Sequence, residues 1–438
     1  VQAHLDRIDQ LNGKLNAIVT IAPDVLDQAR QAETLTRAKR LGPLHGLPLT
    51  IKDTIATAGI RTTSGSRVRK DFVPKVDAPA VARLKAAGAI ILGKTNTPEM
   101  AIPYETDNAV FGRTNNPYDL SLTPGGSSGG EAAAIASCLS PGGVGSDLSG
   151  SIRVPAHFCG IVGLKPSSDR IPMLGHVPVV SGPLAAAACL GPMARVVADV
   201  SLLFSVLATE AEPSVTAEQL KSLRVCWYDF DGVTPVSRET KLAVRAAVDA
   251  LSQAGVTCVE RRPPAVDSGS RLWVELFAEA SAKDLREFYS GKEELAGPLV
   301  SRILEAPRRK HQQGPEDWEK ALQERDRLRQ ELLSMMDDTP VIIAPVGATA
   351  AFPHHTNRVD VEGESVSVFR AFSYSQTYNV FDLPAVVVRA GETTSGLPLG
   401  LQIVGKPFSE DLILAVAAIV EAALGGWRPP SNAGTDPI

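Results

Sequence analysis

Between Thr123 and Glu131 the chain reads Thr-Pro-Gly-Gly-Ser-Ser-Gly-Gly-Glu, two serines set among four glycines ahead of an Ala-rich run. Glycine at this density either builds a tight turn from positive-φ positions or brings backbone against a ligand at a helix N-terminus. So many small residues in a row exceed what a turn needs, which favours a functional loop. A phosphate-binding loop wants Lys after its second glycine, and Glu131 stands there after Gly130. A dinucleotide fingerprint through Gly143 and Gly145 would need glycine at 148, where Leu148 stands. The elbow G-x-S-x-G does match, as Gly125-Gly126-Ser127-Ser128-Gly129, so Ser127 as the nucleophile of an α/β-hydrolase stays open. A second small-residue cluster follows, Gly145-Ser-Asp-Leu-Ser-Gly-Ser151-Ile-Arg-Val-Pro-Ala156, with Ser151 as a second candidate.

A serine hydroxyl attacks only when a base takes its proton. His157 is near Ser151 but stands in Ala156-His-Phe-Cys-Gly160, which reads as the start of a buried helix or turn. His45, His176, His354 and His355 are scattered. A lysine can serve instead if burial lowers its pKa enough to leave it neutral. Lys52 is that candidate: it ends the apolar run Leu49-Thr-Ile-Lys52 and precedes Asp53. The competing reading is a strand-end lysine whose stem is buried and whose ammonium reaches water.

These residues need elements to hold them. Leu49 to Lys52 alternates with period two, which puts Thr50 and Lys52 opposite Leu49 and Ile51 on a strand. A helix is expected over 78–87, capped by Asp77, with Pro79 in its first turn and Gly88 at its stop, followed by a strand over 89–92. A further helix is expected from Glu131 to about Cys138, its carboxylate suited to the positive end of the dipole. The stretch from 127 to 151 then fits one helix, one short strand near Val144 and a sharp turn at 149–151. Both serine loops can meet at one end of a sheet, where α/β folds place their ligands. Downstream, a polar connection over 209–222 leads to strand 223–228. A long amphipathic helix over 315–336 buries Trp318, Leu322, Leu328, Leu332 and Met335. Strands 341–345 and 384–388 extend the sheet. Alternating strands and helices mark an α/β fold.

Length and composition set the frame. The 438 residues allow one large α/β unit or two domains, with 44% hydrophobic and 21% charged residues, as in ordinary globular chains. The 44 basic and 49 acidic residues are well mixed, so no nucleic-acid face is implied. The cysteines at 138, 159, 189, 226 and 258 lack metal-site spacing and read as packing thiols, which fits a reducing compartment, the cytoplasm. The most apolar late stretch, Leu412 to Leu424, is cut by Glu421, so no membrane span is expected. The chain opens in what reads as a helix over 1–11; an upstream segment is expected to be missing, which leaves targeting unread.

Three segments in register, Gly46-Leu-Pro-Leu-Thr-Ile-Lys52-Asp53, Pro124-Gly-Gly-Ser127-Ser-Gly-Gly130 and Gly145-Ser-Asp-Leu-Ser-Gly-Ser151-Ile-Arg153-Val-Pro155, resemble the amidase signature family. Gly93-Lys-Thr-Asn-Thr-Pro98, Phe158 to Pro166, Gly191-Pro-Met-Ala-Arg195 and Gly396 to Gly405 agree, so the likeness covers nearly the whole chain. The resemblance implies a single α/β/α domain over 1–438 around a large twisted mixed sheet. Its signature-bearing core spans about 41–205, and its second half, about 222–425, completes the sheet and the pocket.

The resemblance also implies carboxamide hydrolysis through an acyl-enzyme on Ser151. Ser127, preceded by a cis peptide, is the bridging serine and Lys52 the base. The backbone amides of Leu148, Ser149, Gly150 and Ser151 form the oxyanion hole, and Asp147 and Arg153 hold the loop. It implies no cofactor, no metal and a small-molecule amide as substrate; charge and hydropathy argue against nucleic acid and membrane as partners, and a homodimer is left open. An amidotransferase A-type subunit that works inside a complex is the alternative, and an esterase using Ser127 a further one. One departure stands at Ser149, where the family has glycine: if that position needs positive φ, serine there costs ~1 kcal/mol or more and shifts an oxyanion donor. Pocket walls are expected over 170–182, 271–307 and Pro353-His354-His355, and these residues do not name a ligand.

Overall fold

The computed structural model describes residues 1–37, 41–210, 215–306 and 315–430. Its centre is an eleven-stranded mixed sheet. In chain order the strands are β1 (Ile18–Ile21), β2 (Pro48–Lys52), β3 (Ile90–Thr95), β4 (Gly142–Asp147), β5 (Val162–Lys165), β6 (Cys189–Ala194), β7 (Arg224–Trp227), β8 (Thr257–Glu260) and β9 (Val341–Pro345). After a small hairpin of β10 (Arg358–Val361) and β11 (Glu364–Ser367) come β12 (Ala385–Glu392) and β13 (Pro398–Gly405). Across the sheet the order is β1-β3-β2-β4-β6-β5-β12-β13-β9-β7-β8. The two halves of the chain join where β5 pairs antiparallel with β12, Leu164 opposite Val386.

The run around Lys52 forms β2, parallel to both β3 and β4, with Thr50 opposite Gly143. All three strands therefore end at the same edge, and so do the loops that follow them. The period-two reading holds for β2, but both faces are covered: Leu49 and Ile51 join the apolar core, while Thr50 and Lys52 meet polar partners. Strand β3 runs on to Thr95, beyond the expected end at 92, because Lys94 and Thr95 find buried acceptors at Thr57, the Ile55 carbonyl and Glu131.

The expected helix over 78–87 is Pro79–Ala86, and its N-cap is Ala78 rather than Asp77. Asp77 is drawn off by other donors, the Ala58 amide at 2.7 Å and Lys85 Nζ at 2.9 Å. The helix expected from Glu131 starts at Gly129 and ends at Ala136, buried along its whole length. Its glutamate lies in the first turn but is wholly buried, accepting from Thr50 and, at 2.7 Å, from Thr95. Helix Pro315–Met335 turns Leu328, Leu332 and Met335 into the core, with Trp318 and Leu322 packed beside them. Part of the polar connection, residues 211–214, lies outside the described residues. Among the described residues no helix is long and apolar enough to cross a membrane.

Candidate active site

Lys52 occupies the last position of β2, with no exposed surface. Its Nζ lies 2.7 Å from Ser127 Oγ and 2.9 Å from Ser146 Oγ. Burial pulls its pKa down from 10.5 to about 7, against the opposing charges of Asp147 and Glu131. The strand-end reading with a solvated ammonium is thereby excluded. A lysine half-neutral near pH 7 can accept a proton from a hydroxyl hydrogen-bonded to it.

Ser127 follows a cis Gly126–Ser127 peptide just ahead of helix Gly129–Ala136. Thr97 Oγ donates to its carbonyl at 3.0 Å. The glycine before it has a packing reason: a Cβ at Gly126 would sit 2.5 Å from the Pro103 carbonyl oxygen. The two serine loops are tied where the Ser128 amide donates to the Ser151 carbonyl at 3.0 Å. Among the described residues no hydrogen bond joins the Ser127 and Ser151 hydroxyls, but both residues line one cavity.

The turn from β4 to helix Arg153–Cys159 is built around Asp147. Its carboxylate accepts from the amides of Gly150 (2.8 Å) and Ile152 (3.0 Å), and from Arg153 Nε (3.1 Å) and Nη2 (3.0 Å). Neither Asp147 nor Arg153 has an exposed side chain. Burial alone would raise the Asp147 pKa, but the Arg153 charge and these hydrogen bonds outweigh it and hold the carboxyl well below its usual range. Arg153 extends the lock to Gln402 Oε1 at 2.9 Å, and Asn379 Nδ2 donates to Asp147 at 3.0 Å.

Two expectations for this turn change. The left-handed residue is Gly150, at φ 112°, while Ser149 is not among the positive-φ residues, so no glycine-like strain falls on the serine. The Ser149 carbonyl instead accepts from Tyr104 Oη at 2.6 Å. The Gly150 amide, one of four expected oxyanion donors, is already committed to Asp147. Ser149→Gly is therefore expected to bring no gain in thermal stability. A more flexible unfolded chain lowers it by ~0.4–1 kcal/mol, as a urea titration would read.

The cavity has a volume of about 1070 Å³ and an apolar majority in its walls, among them Met100, Ile102, Met173, Leu184, Trp273 and Phe369. The expected wall segments 170–182 and 271–306 contribute, as does His355; Pro307 lies outside the described residues. The wall formed by residues 99–109 was not anticipated. Ser146, Asn379 and Gln402 carry no role in the sequence reading, and His176 enters it only as a scattered histidine and as part of the expected wall 170–182. Gln402 had a signal, a lone amide inside the apolar run of β13; His176 had none, and Ser146 was one hydroxyl among several. His157 is buried in its helix, with Nε2 at 3.1 Å from the Thr349 carbonyl and Nδ1 accepting from the Gly400 amide, as a structural histidine would be.

The family model for Amidase matches residues 1–414. The chain belongs to the amidase signature family. Human fatty-acid amide hydrolase 2 is 33% identical across 99% of this chain and 87% of its own length. The A-type subunit of the glutamyl-tRNA(Gln) amidotransferase from Alkaliphilus metalliredigens is 32% identical over 98% of this chain and 93% of its own. The X-ray structure of the native peptide amidase from Stenotrophomonas maltophilia superposes with a TM-score of 0.80 at 28% identity, covering 98% of this chain and 94% of that one. This amidase is a hydrolase of amide C–N bonds, built on the large mixed sheet with flanking helices that the fold shows.

Proposed function

We propose that this amidase cleaves carboxamides through an ester formed on Ser151, with Lys52 and Ser127 moving the protons. The observation that carries this reading is the wholly buried Lys52, held against the Oγ of Ser127, which lines the same cavity as Ser151. Ser151 Oγ attacks the amide carbon and its proton passes to Ser127 Oγ, as Ser127 gives its own to neutral Lys52. The tetrahedral oxyanion accepts from the amides of Leu148, Ser149 and Ser151. Donors fixed before the reaction stabilise that charge without reorganising. When the intermediate collapses, the lysine proton returns through Ser127 to the departing nitrogen, and the C–N bond breaks. Water then repeats the sequence on the ester, releasing the acid and freeing Ser151.

The apolar walls favour an amide with a large apolar arm over a small polar one, since a cavity of this size can bury most of such a group. An activated fluorophosphonate is expected to label the protein once. Peptide mapping should place the adduct on Ser151; an adduct on Ser127 would overturn the assignment. A turnover screen of aliphatic, aryl and amino-acid amides tests the substrate preference, and equal rates on acetamide and on long-chain amides would count against an apolar arm.

A second reading has support in the amidotransferase relatives: the chain would act as one component of a complex. Purified as a single chain, it is expected to hydrolyse amides unaided. Activity that requires an added partner would favour the complex.

A further inference from the structure

His176 lies in the loop between β5 and β6, its backbone bridged to Ile55 just beyond Lys52 and followed by Val177, whose amide donates to the Thr54 carbonyl at 2.8 Å. Its two ring nitrogens face different partners. Nδ1 is 2.8 Å from the Pro178 carbonyl oxygen, which can only accept, so Nδ1 carries the hydrogen. Nε2 is 3.0 Å from Ser146 Oγ. In a neutral imidazole that nitrogen is an acceptor, so Ser146 must donate to it. Burial, helped by the Lys52 charge, lowers the His176 pKa to about 4, so the ring is neutral near pH 7.

The consequence reaches Lys52. Neutral lysine has two N–H bonds and one lone pair, and its two hydroxyl neighbours are Ser127 and Ser146. Were the Ser146 hydrogen unclaimed, it could bond to that lone pair and occupy the base. Because Ser146 donates to His176, it can offer Lys52 only a lone pair, and Lys52 must donate to it. The lysine lone pair is then left for the Ser127 hydroxyl, which has to surrender its proton.

We propose that His176 is a positioning residue: through Ser146 it sets the direction of the hydrogen bonds around Lys52 and keeps the base aimed at Ser127. This rests on Lys52 being the base. It assigns no contact with the reacting atoms to His176, although the residue lines the cavity.

A double-mutant cycle on the full chain tests it, with kcat and KM measured on one amide hit from the turnover screen. His176→Leu, which removes the acceptor, is expected to lower kcat about tenfold with KM little changed. In a Ser146→Ala background, where no hydroxyl competes for the lone pair, the same substitution should change kcat less than about twofold. His176→Gln, able to accept from Ser146 and donate to the Pro178 carbonyl, should restore most of the lost rate. His176→Asn, polar but too short to reach Ser146, should behave as the leucine variant and replaces it in the cycle if leucine does not fold. An equal loss of kcat in both backgrounds, or a rise in KM with kcat kept, would overturn the proposal. Lys52→Met with a near-normal rate would overturn this proposal and the proposed chemistry together. An inactive Lys52→Met beside an additive cycle would remove only the role of His176.

Discussion

Lys52→Met is expected to lower kcat by ~10² to 10⁴ while the folded structure persists, because the variant keeps the length of the stem and loses only the group that takes the proton. Removing a member of a relay that acts as a unit costs close to the full effect, so adding Ser127→Ala to this variant should lower the rate little further. In the parent enzyme kcat should rise with pH with a midpoint near 7, the value to which burial brings Lys52, since only the unprotonated amine can accept. Stability should follow the same direction. The unfolded chain keeps the lysine proton up to about 10.4, while the folded site releases it near 7, so folding is favoured progressively as pH rises through that interval. Lys52→Met should lose this dependence, which denaturant titrations at several pH values would read. A flat kcat profile, or a methionine variant with ordinary turnover, would remove Lys52 from the chemistry.

The second large effect is on the fold. Arg153→Met is expected to destabilise the protein by ~3–5 kcal/mol, because it leaves the Asp147 carboxylate charged, buried and without its cation. The turn that carries Ser151, the proposed nucleophile, hangs on the same carboxylate through the amides of Gly150 and Ile152, so kcat should fall with stability. Replacing both partners, as Asp147→Leu with Arg153→Met, removes the stranded charge and should recover part of the lost stability, measured as the urea midpoint. A single variant as stable as the parent would mean that Asn379 and the backbone amides suffice to hold the carboxylate.

The sequence made the proposed reacting residues legible as candidates because each sits in an unusual local setting. Ser127 stands among glycines, Ser151 closes a small-residue turn, and Lys52 ends an apolar strand. The strands and the helix between them followed from period and punctuation. Less legible were residues whose importance arises only from packing between distant segments. Asn379 and Gln402 reach Arg153 from more than 200 positions away, and His176 meets Ser146 across the sheet edge. Local pattern also misjudged Asp77, an ordinary capping residue by type that tertiary donors drew elsewhere. It misplaced the conformational demand at Ser149 too, since which of two adjacent residues turns left-handed depends on where the Asp147 carboxylate anchors the amides.

The proposed reacting groups lie within residues 52–151, at the end of β2, just ahead of helix Gly129–Ala136 and in the turn after β4, while much of the apolar wall comes from residues 273–306, inserted between β8 and β9. That segment supplies neither Lys52 nor the serines nor the Asp147 lock. The proposed proton path and much of the apolar wall are therefore carried by different stretches of polypeptide, joined where Trp273 Nε1 donates to the Leu148 carbonyl at 3.0 Å. Exchanging the insertion for that of another amidase would retune which amides enter while leaving the proton path intact, so new substrate ranges can arise by loop replacement with no rebuilding of the reacting core.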